Sequence, residues 1–167
     1  MLAMPILKEL KQTRPFVSAN QEAAVALLRT ADVVNRLVDS VIARERITGQ
    51  QYNVLRILRG AGEKGLPTLE IADRMIEQTP GITRLIDRLE TKKLVSRERC
   101  ATDRRQVFCR ISAAGLALLA RLDEPVRAIS DEALGTLSKK DVAQLIELLD
   151  RTREGIKTTM LKMEVKS

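Results

Sequence analysis

The chain has 167 residues, of which 44% are apolar and 31% are charged, and its 29 lysines and arginines exceed its 22 acidic residues, giving a net charge of +7. This length and apolar content are typical of one globular domain with a buried core. There is no histidine, which excludes Ser-His-Asp and Cys-His catalysis and histidine-ligated zinc. We therefore expect no enzyme, no cofactor and no metal site. No GxxxxGK[ST] segment occurs, and no phosphate-cradling loop is expected.

The positive charge is concentrated in one stretch of the sequence. Eight basic and four acidic residues lie between Arg84 and Arg105. A basic chain favours polyanions, with nucleic acid first and an anionic membrane second. No apolar run reaches membrane-spanning length, no secretory signal is evident, and two cysteines are too few for a disulfide scaffold. A cytoplasmic protein without a membrane partner is the expectation.

The N-terminal part predicts an arm followed by a long helix. Pro5 and Pro15 interrupt residues 1–18, so we predict a loosely structured arm there. Ser18 or Asn20 can cap a helix from about residue 21 to 46. Its apolar residues recur every three or four positions, and the stripe is wide enough to bury two sides of the helix. These residues are Leu27, Leu28, Ala31, Val34, Leu37, Val38, Val41 and Ile42.

Two further helices are predicted next. Thr48 is expected to cap a helix that continues to about Arg59, with Tyr52, the only tyrosine, packed in the core. Thr68 is expected to cap a short helix over residues 69–75. The apolar side chains expected to face inward from these two helices are Tyr52, Leu55, Ile57, Leu58, Leu69, Ile71 and Ala72.

A fourth helix is predicted to begin at Thr79-Pro80 and to end near Lys92, because proline is favoured at the first helical position. Its apolar face is expected to be core and consists of Ile82, Leu85, Ile86 and Leu89. The opposite face carries small and basic side chains, which are candidate contacts to DNA: Thr79, Pro80, Gly81, Thr83, Arg84, Arg88 and Lys92. An arginine on such a face can bind guanine through two hydrogen bonds or contact a phosphate. The alternative is an ordinary solvated helix face.

A β-hairpin is predicted after this helix, with strands near residues 94–99 and 106–111 and a polar turn between them. Apolar and polar residues alternate in the second strand, which is the period of a half-buried strand. The turn carries Arg104 and Arg105, which fit a narrow minor groove, and Asp103, which can accept a hydrogen bond from an arginine and fix its pose. A helix, a turn, a second helix and a hairpin form a winged helix-turn-helix.

Two C-terminal helices complete the prediction. Ser112 and Ser138 are expected to cap them, and Pro125 lies inside the first and could kink it. The last helix has a narrow apolar seam with a spacing of three and four, of the kind that helices use to pair. The seam consists of Val142, Leu145, Leu149, Thr152, Ile156 and Met160. Its position near the chain end favours a partner subunit over the interior of the same chain.

Three segments resemble the MarR family of bacterial transcriptional regulators: LPTLEIA at 66–72, TPGITRLIDRLETKKLVSRE at 79–98 and DRRQVFCRISAAG at 103–115. The similarity covers roughly residues 20–165 and is most specific over residues 48–120. It implies a mainly α fold with a β wing, in which N- and C-terminal helices form a homodimer. The implied organisation is an arm (1–18), dimerisation helices (19–47 and 112–167) and a DNA-binding lobe (48–111), within a single compact domain.

The resemblance also implies a function. Family members bind a palindromic operator as homodimers, usually repress transcription, and in many cases release double-stranded DNA when a small anionic aromatic molecule binds. Carried over by position, Thr83 and Arg84 face the groove, and Asp103, Arg104 and Arg105 form the wing motif. The sequence departs from the family at Gln78, Pro80 and Gly81, where small or hydroxyl side chains are usual, so the base preference is not transferred.

Two alternatives remain open at this level. A winged-helix module that binds a protein without specific DNA readout is the main one, although such modules usually lose their basic helix face. Cys100 and Cys109 flank the wing tip and could sense oxidants. However, Cys109 lies on the same side of the predicted strand as Val107 and Ile111 and is better interpreted as a small buried side chain. The cysteine-sensing relatives place their cysteine on the first helix, where this chain has none.

Overall fold

The computed structural model describes residues 5–78, 80–99 and 107–165, which form seven helices and three short strands. The strands build one antiparallel sheet in the order β1-β3-β2. The chain divides into two compact units, residues 1–126 and 127–167. Over the described ranges, no helix is long and apolar enough to cross a membrane. The elements are α1 (Ile6–Glu9), α2 (Ala19–Ile42), α3 (Gly49–Ala61), β1 (Leu66–Pro67), α4 (Thr68–Asp73), α5 (Ile82–Thr91), β2 (Val95–Arg99), β3 (Val107–Ile111), α6 (Ala113–Leu134) and α7 (Lys139–Glu164).

The N-terminal arm has more structure than predicted. It contains the short helix α1, and the carboxylate of Glu9 pairs with the guanidinium of Arg29 on α2 at 2.7 Å. Helix α2 begins with Ser18 as its cap, as predicted, because the Ser18 hydroxyl accepts the N–H of Gln21. The helix ends at Ile42, four residues before the predicted end, because residues 43–45 tighten into a 3₁₀ turn.

Helix α2 buries much less of its surface than the sequence predicts. Within the single chain only Val41 and Ile42 are buried. Several other apolar side chains of the predicted two-sided core are exposed to solvent, namely Leu27, Leu28, Val34 and Leu37, and the neighbouring Val33 is exposed as well. The prediction that two sides are buried is therefore wrong for the isolated chain, and α2 presents a long apolar surface.

Helix α3 supplies most of the core of the lobe. Thr48 and Gln51 form a capping box, in which each side chain bonds the other's backbone N–H. Tyr52, Leu55 and Leu58 are buried as predicted, and Ile57 is half-buried. In α4, Ile71 is buried but Leu69 is 77% exposed, so the expectation that Leu69 is core is wrong.

Helix α5 begins at Ile82, two residues later than predicted. Gly81 is its N-terminal flanking residue and has a φ of +86°, a left-handed conformation that is incompatible with a helix already running through it. Pro80 therefore precedes the helix instead of opening it, and Thr79 lies outside the described residues. Leu85, Ile86 and Leu89 are buried as predicted, while Ile82 is half-buried.

The hairpin is present, with β2 and β3 aligned so that Arg97 lies opposite Cys109. Cys109 is fully buried, in agreement with the structural interpretation of this residue. The sequence did not predict β1, whose Leu66 pairs with Cys109 and adds a third strand. The turn of the hairpin, with Cys100, Asp103, Arg104 and Arg105, lies outside the described residues.

Residues 60–65 have the sequence GAGEKG, which matches the spacing GxGxxG. In a dinucleotide-binding loop these glycines follow a strand and open a helix. Here the segment instead closes α3 and leads into β1, and Gly62 and Gly65 adopt positive φ values of 64° and 65°. The surrounding elements therefore exclude the dinucleotide-binding interpretation, and the glycines serve a helix end and a turn.

Helices α6 and α7 begin where the sequence predicts. The Ser112 hydroxyl accepts the N–H of Gly115 at 3.0 Å, and Ser138 forms a capping box with Asp141. Pro125 lies inside α6, which continues past it to Leu134. No described residue of α7 is buried. Within the single chain the larger apolar side chains of the seam are therefore exposed or half-buried, and the pairing of this helix with a partner stays a prediction.

Candidate nucleic-acid interface

Helix α5 has a polar face on which Arg84 and Arg88 are exposed and form no hydrogen bond or ion pair with another described side chain. Thr83, Arg84 and Arg88 are exposed, opposite the buried Leu85, Ile86 and Leu89. Arg84 and Arg88 are one helical turn apart and project from the same side. Within the part of the chain that the structure describes, neither guanidinium forms a hydrogen bond or ion pair. Both are therefore free to bind an anion or the edge of a base.

Arg97 of β2 neutralises the two carboxylates of the same helix. Its guanidinium pairs with Asp87 at 2.6 Å and with Glu90 at 3.2 Å, and it donates to the carbonyl of Thr83 at 3.2 Å. Partial burial opposes the charged form, but the hydrogen bond with Asp87 and the charges of Asp87 and Glu90 outweigh it and raise the pKa of Arg97. Arg97 therefore fixes the hairpin against α5 and cancels the negative charge that would repel phosphate.

Replacing Arg97 with methionine is expected to weaken DNA binding about tenfold, which corresponds to ~1.4 kcal/mol. The methionine retains the apolar stem, but it leaves Asp87 and Glu90 unpaired beside the phosphates, where like charges repel. Fluorescence anisotropy with a labelled duplex measures the affinity. Adding Asp87→Asn to the variant removes one of the exposed carboxylates and should recover part of the affinity. Affinity equal to that of the wild-type protein for Arg97→Met would contradict this role.

The segment between α4 and α5 is held by two asparagines from other helices. The Asn53 side chain of α3 accepts the N–H of Ile76 at 2.9 Å, and the Asn35 side chain of α2 donates to Glu77 at 2.8 Å. These bonds fix Ile76 and Glu77, and Pro80 and Gly81, farther along the chain, are both exposed. No side chain among the described residues caps the N-terminus of α5. The first N–H groups of α5 therefore donate no hydrogen bond to a described capping side chain. Such groups at a helix N-terminus attract anions.

Lys92 lies at the other end of α5, where it has a partner. Its ammonium donates to the backbone carbonyl of Arg46 at 2.5 Å, although the side chain remains exposed. Of the ten residues predicted to contact DNA, the structure brings six together on or beside α5: Pro80, Gly81, Thr83, Arg84, Arg88 and Lys92. The other four lie outside the described residues: Thr79, Asp103, Arg104 and Arg105.

Sequence reasoning missed Arg97, Asn35 and Asn53. Arg97 gave a signal, because the alternation of β2 places it on the same side of the strand as the buried Val95. An arginine on an inward face needs an acidic partner. The two asparagines gave no such signal, because their partners are 42 and 23 residues away in the chain.

The helix-turn-helix formed by α4 and α5, followed by the hairpin, defines a winged helix-turn-helix protein. The MarR family model matches residues 47–107, which span α3 to the start of β3. The chain is 41% identical to a MarR transcription factor from Planctomyces limnophilus of known structure, over 81% of this chain and 98% of that one, with a TM-score of 0.62. This protein therefore belongs to the MarR family of transcriptional regulators, whose members are transcription factors and not enzymes.

Two other relatives agree with this assignment. The chain is 29% identical over 127 residues to the HTH-type transcriptional regulator MhqR of Bacillus subtilis (strain 168), covering 76% of this chain and 86% of MhqR. It shares its fold with MepR of S. aureus, solved as a complex with DNA, at a TM-score of 0.73 and 20% identity. That match covers 79% of this chain and 96% of MepR.

Proposed function

We propose that the protein is a homodimeric repressor that binds a palindromic operator in double-stranded DNA. The observation that carries the proposal is the face of α5. Among the described residues Arg84 and Arg88 have no partner and are exposed, while the acidic groups of the same helix are neutralised by Arg97. A helix that only faced solvent would gain nothing from this separation of paired and unpaired charges. The second helix of a helix-turn-helix reads bases in the major groove.

In this proposal the residues beside α5 contact the backbone. Thr83 and the free N–H groups after Gly81 are expected to bind phosphate, with Pro80 shaping the close approach. Arg104 and Arg105 of the hairpin turn are proposed to enter the adjacent minor groove, with Asp103 fixing their pose. Thr79 is proposed to contact a phosphate at the start of the helix.

Dimerisation is supported by exposed apolar surface on two separate helices. Leu28, Val33 and Val34 are exposed on α2, and Ile146, Ile156 and Met160 are exposed on α7. Soluble monomers rarely expose contiguous apolar patches of this kind, and larger ones mark interaction sites. A second copy of the chain is the proposed occupant, because a dimer with twofold symmetry matches a palindromic site.

We also propose a small anionic aromatic effector that releases the DNA, with the protein acting in the cytoplasm. This part of the proposal rests on the membership of the chain in the MarR family. The apolar side chains of the dimerisation helices are suited to line such a pocket, since ligand sites are mostly apolar with few polar groups.

The proposal is tested by selection from a random pool of short DNA duplexes at physiological salt. Enrichment of an inverted repeat with half-sites about one helical turn apart is expected. Retention of DNA without enrichment would show only the electrostatic attraction that any basic protein has. That result would favour a winged-helix module that binds a protein over a specific regulator.

Arg84→Ala is expected to lower affinity for the selected operator by about 1–3 kcal/mol and to relax the preference at one base pair. Arg104→Ala should weaken binding with less change in base preference, because a backbone or minor-groove contact carries less sequence information. Titrations against the operator and against single-base variants measure both effects. Arg151→Ala on α7 is the control for net charge, since Arg151 is exposed and far along the chain from α5. Unchanged operator binding by Arg84→Ala and Arg104→Ala would contradict the assignment.

A further inference from the structure

A group of four cations lies where the end of α5 meets the turn between α2 and α3. We define this basic corner by Arg44, Arg46, Lys92 and Lys93, all exposed. The two segments are in contact, because the Lys92 ammonium donates to the Arg46 carbonyl at 2.5 Å. Among the described residues none of the four forms an ion pair. The corner thus carries four positive charges on two segments that are in contact, and no described acidic residue pairs with any of them.

The acidic groups near the basic corner are engaged elsewhere. Glu45 binds Arg121 of α6 through both oxygens, at 3.0 and 2.6 Å, and this hydrogen bonding lowers the pKa of Glu45. Glu90 is paired with Arg97. Asp39 lies against Gly49 at the N-terminus of α3, where the helix dipole favours a carboxylate. Glu45 and Glu90 are thus paired with other arginines, Asp39 lies at the start of α3, and none of these three acids pairs with a cation of the corner.

Two of the four cations occupy backbone positions that suit glycine. Arg46 and Lys93 have φ values of 56° and 59°, in the left-handed region. Residues other than Gly, Asn and Asp are uncommon there, and the conformation costs roughly 1–2 kcal/mol. Arg46 follows the 3₁₀ turn and Lys93 follows the end of α5, positions at which glycine is usual. A charged side chain at both positions indicates a use for the charge that offsets the strain.

We propose that the basic corner binds the phosphate backbone of the operator beside the groove that α5 enters. This inference rests on the proposed function and extends its DNA-binding surface. Arg84, Arg88 and Lys92 are spaced by four residues and form one row along α5, and the Lys92–Arg46 bond joins that row to the corner. Because the corner continues the face of α5 that carries Arg84 and Arg88, we infer that its polyanion is DNA and not a membrane surface or a free nucleotide.

Glycine substitutions provide a test that separates charge from fold. In Arg46→Gly and Lys93→Gly the backbone bonds of both residues persist, namely Arg46 N–H to Ala43, Lys93 N–H to Glu90 and Ser112 to the Lys93 carbonyl. Because glycine relieves the left-handed strain, thermal stability should be maintained or raised. Each substitution removes one ion pair with a phosphate, which should lower operator affinity about fivefold at ~0.15 M salt and reduce the log–log salt slope by about 0.9.

Lys11→Gly is the matched control, since Lys11 also has a positive φ, 52°, and lies in the N-terminal arm. It removes the same charge and relieves the same strain, yet it should leave the salt slope unchanged. Equal slopes for wild-type protein, Arg46→Gly and Lys93→Gly would overturn the inference, and so would an equal decrease in Lys11→Gly. If Arg84→Ala is impaired while the corner variants bind normally, only this inference fails. If the wild-type protein enriches no operator, the proposed function itself fails.

Discussion

Ile156→Glu is expected to leave the protein monomeric and to abolish measurable operator binding at physiological salt. Ile156 is 50% exposed in the single chain and lies in the C-terminal half of the α7 seam. A buried isoleucine side chain contributes about 1.5–3 kcal/mol, and an unpaired carboxylate in the same place costs several more. In the proposed dimer, twofold symmetry places the substitution in both protomers. A monomer can occupy only one half-site and loses the gain in affinity that two linked half-sites provide.

Sedimentation equilibrium measures the oligomeric state, and anisotropy with the selected operator measures binding. Thr158→Glu is the control, because position 158 is about 200° round the helix from Ile156 and carries an exposed side chain. The control introduces the same charge on the opposite face and should remain dimeric with normal binding. A dimeric Ile156→Glu protein would show that the seam is not the interface.

The elements that could be predicted from the sequence are those defined by local chemistry. Ser18, Thr48 and Ser138 each cap a helix, because a hydroxyl followed three residues later by a free N–H needs no distant partner. The predicted start of α5 was wrong. Proline is usual at the first helical position, but Gly81, which follows Pro80, is left-handed, so the helix begins only after it. Strand β1 was missed because two residues, one of them proline, show no alternation and depend on pairing with β3.

The candidate site divides in the same way. The exposure of Arg84 and Arg88 follows from the helical period, which places both outside the stripe formed by the buried Leu85, Ile86 and Leu89. The pairing of Arg97 with two carboxylates of α5 requires the hairpin to fold back against that helix. The sequence pattern does not show how close the hairpin lies to the helix. The apolar residues of α2 show the converse problem. Their period indicated one apolar face correctly, but a period alone cannot distinguish the chain's own core from an apolar surface that stays exposed in the single chain.

Gly115→Ala is expected to reduce the free energy of unfolding by about 1–3 kcal/mol, even though alanine is the better helix former. Gly115 is buried in the first turn of α6. A Cβ there would lie 2.4 Å from the Leu94 carbonyl oxygen and 2.7 Å from the Ile111 side chain. The Leu94 carbonyl cannot move freely, since it accepts the N–H of Ser112 at 3.0 Å. The added methyl group must therefore displace α6 from the base of the hairpin.

Gly60→Ala supplies the matched comparison, because it makes the same chemical change in a helix with nothing within 4 Å of the new Cβ. This variant should gain about 0.4–1 kcal/mol from the smaller entropy of its unfolded chain. Urea unfolding at one fixed protein concentration measures both free energies of unfolding, since the stability of the proposed dimer would depend on concentration. The two variants should thus move in opposite directions from the wild-type protein. Stabilisation by Gly115→Ala would mean that α6 and the hairpin base are not packed as closely as Leu94 and Ile111 indicate.

Because the hairpin also holds Arg97 against α5, displacement at Gly115 should weaken operator binding in the folded protein, whereas Gly60→Ala should leave it unchanged.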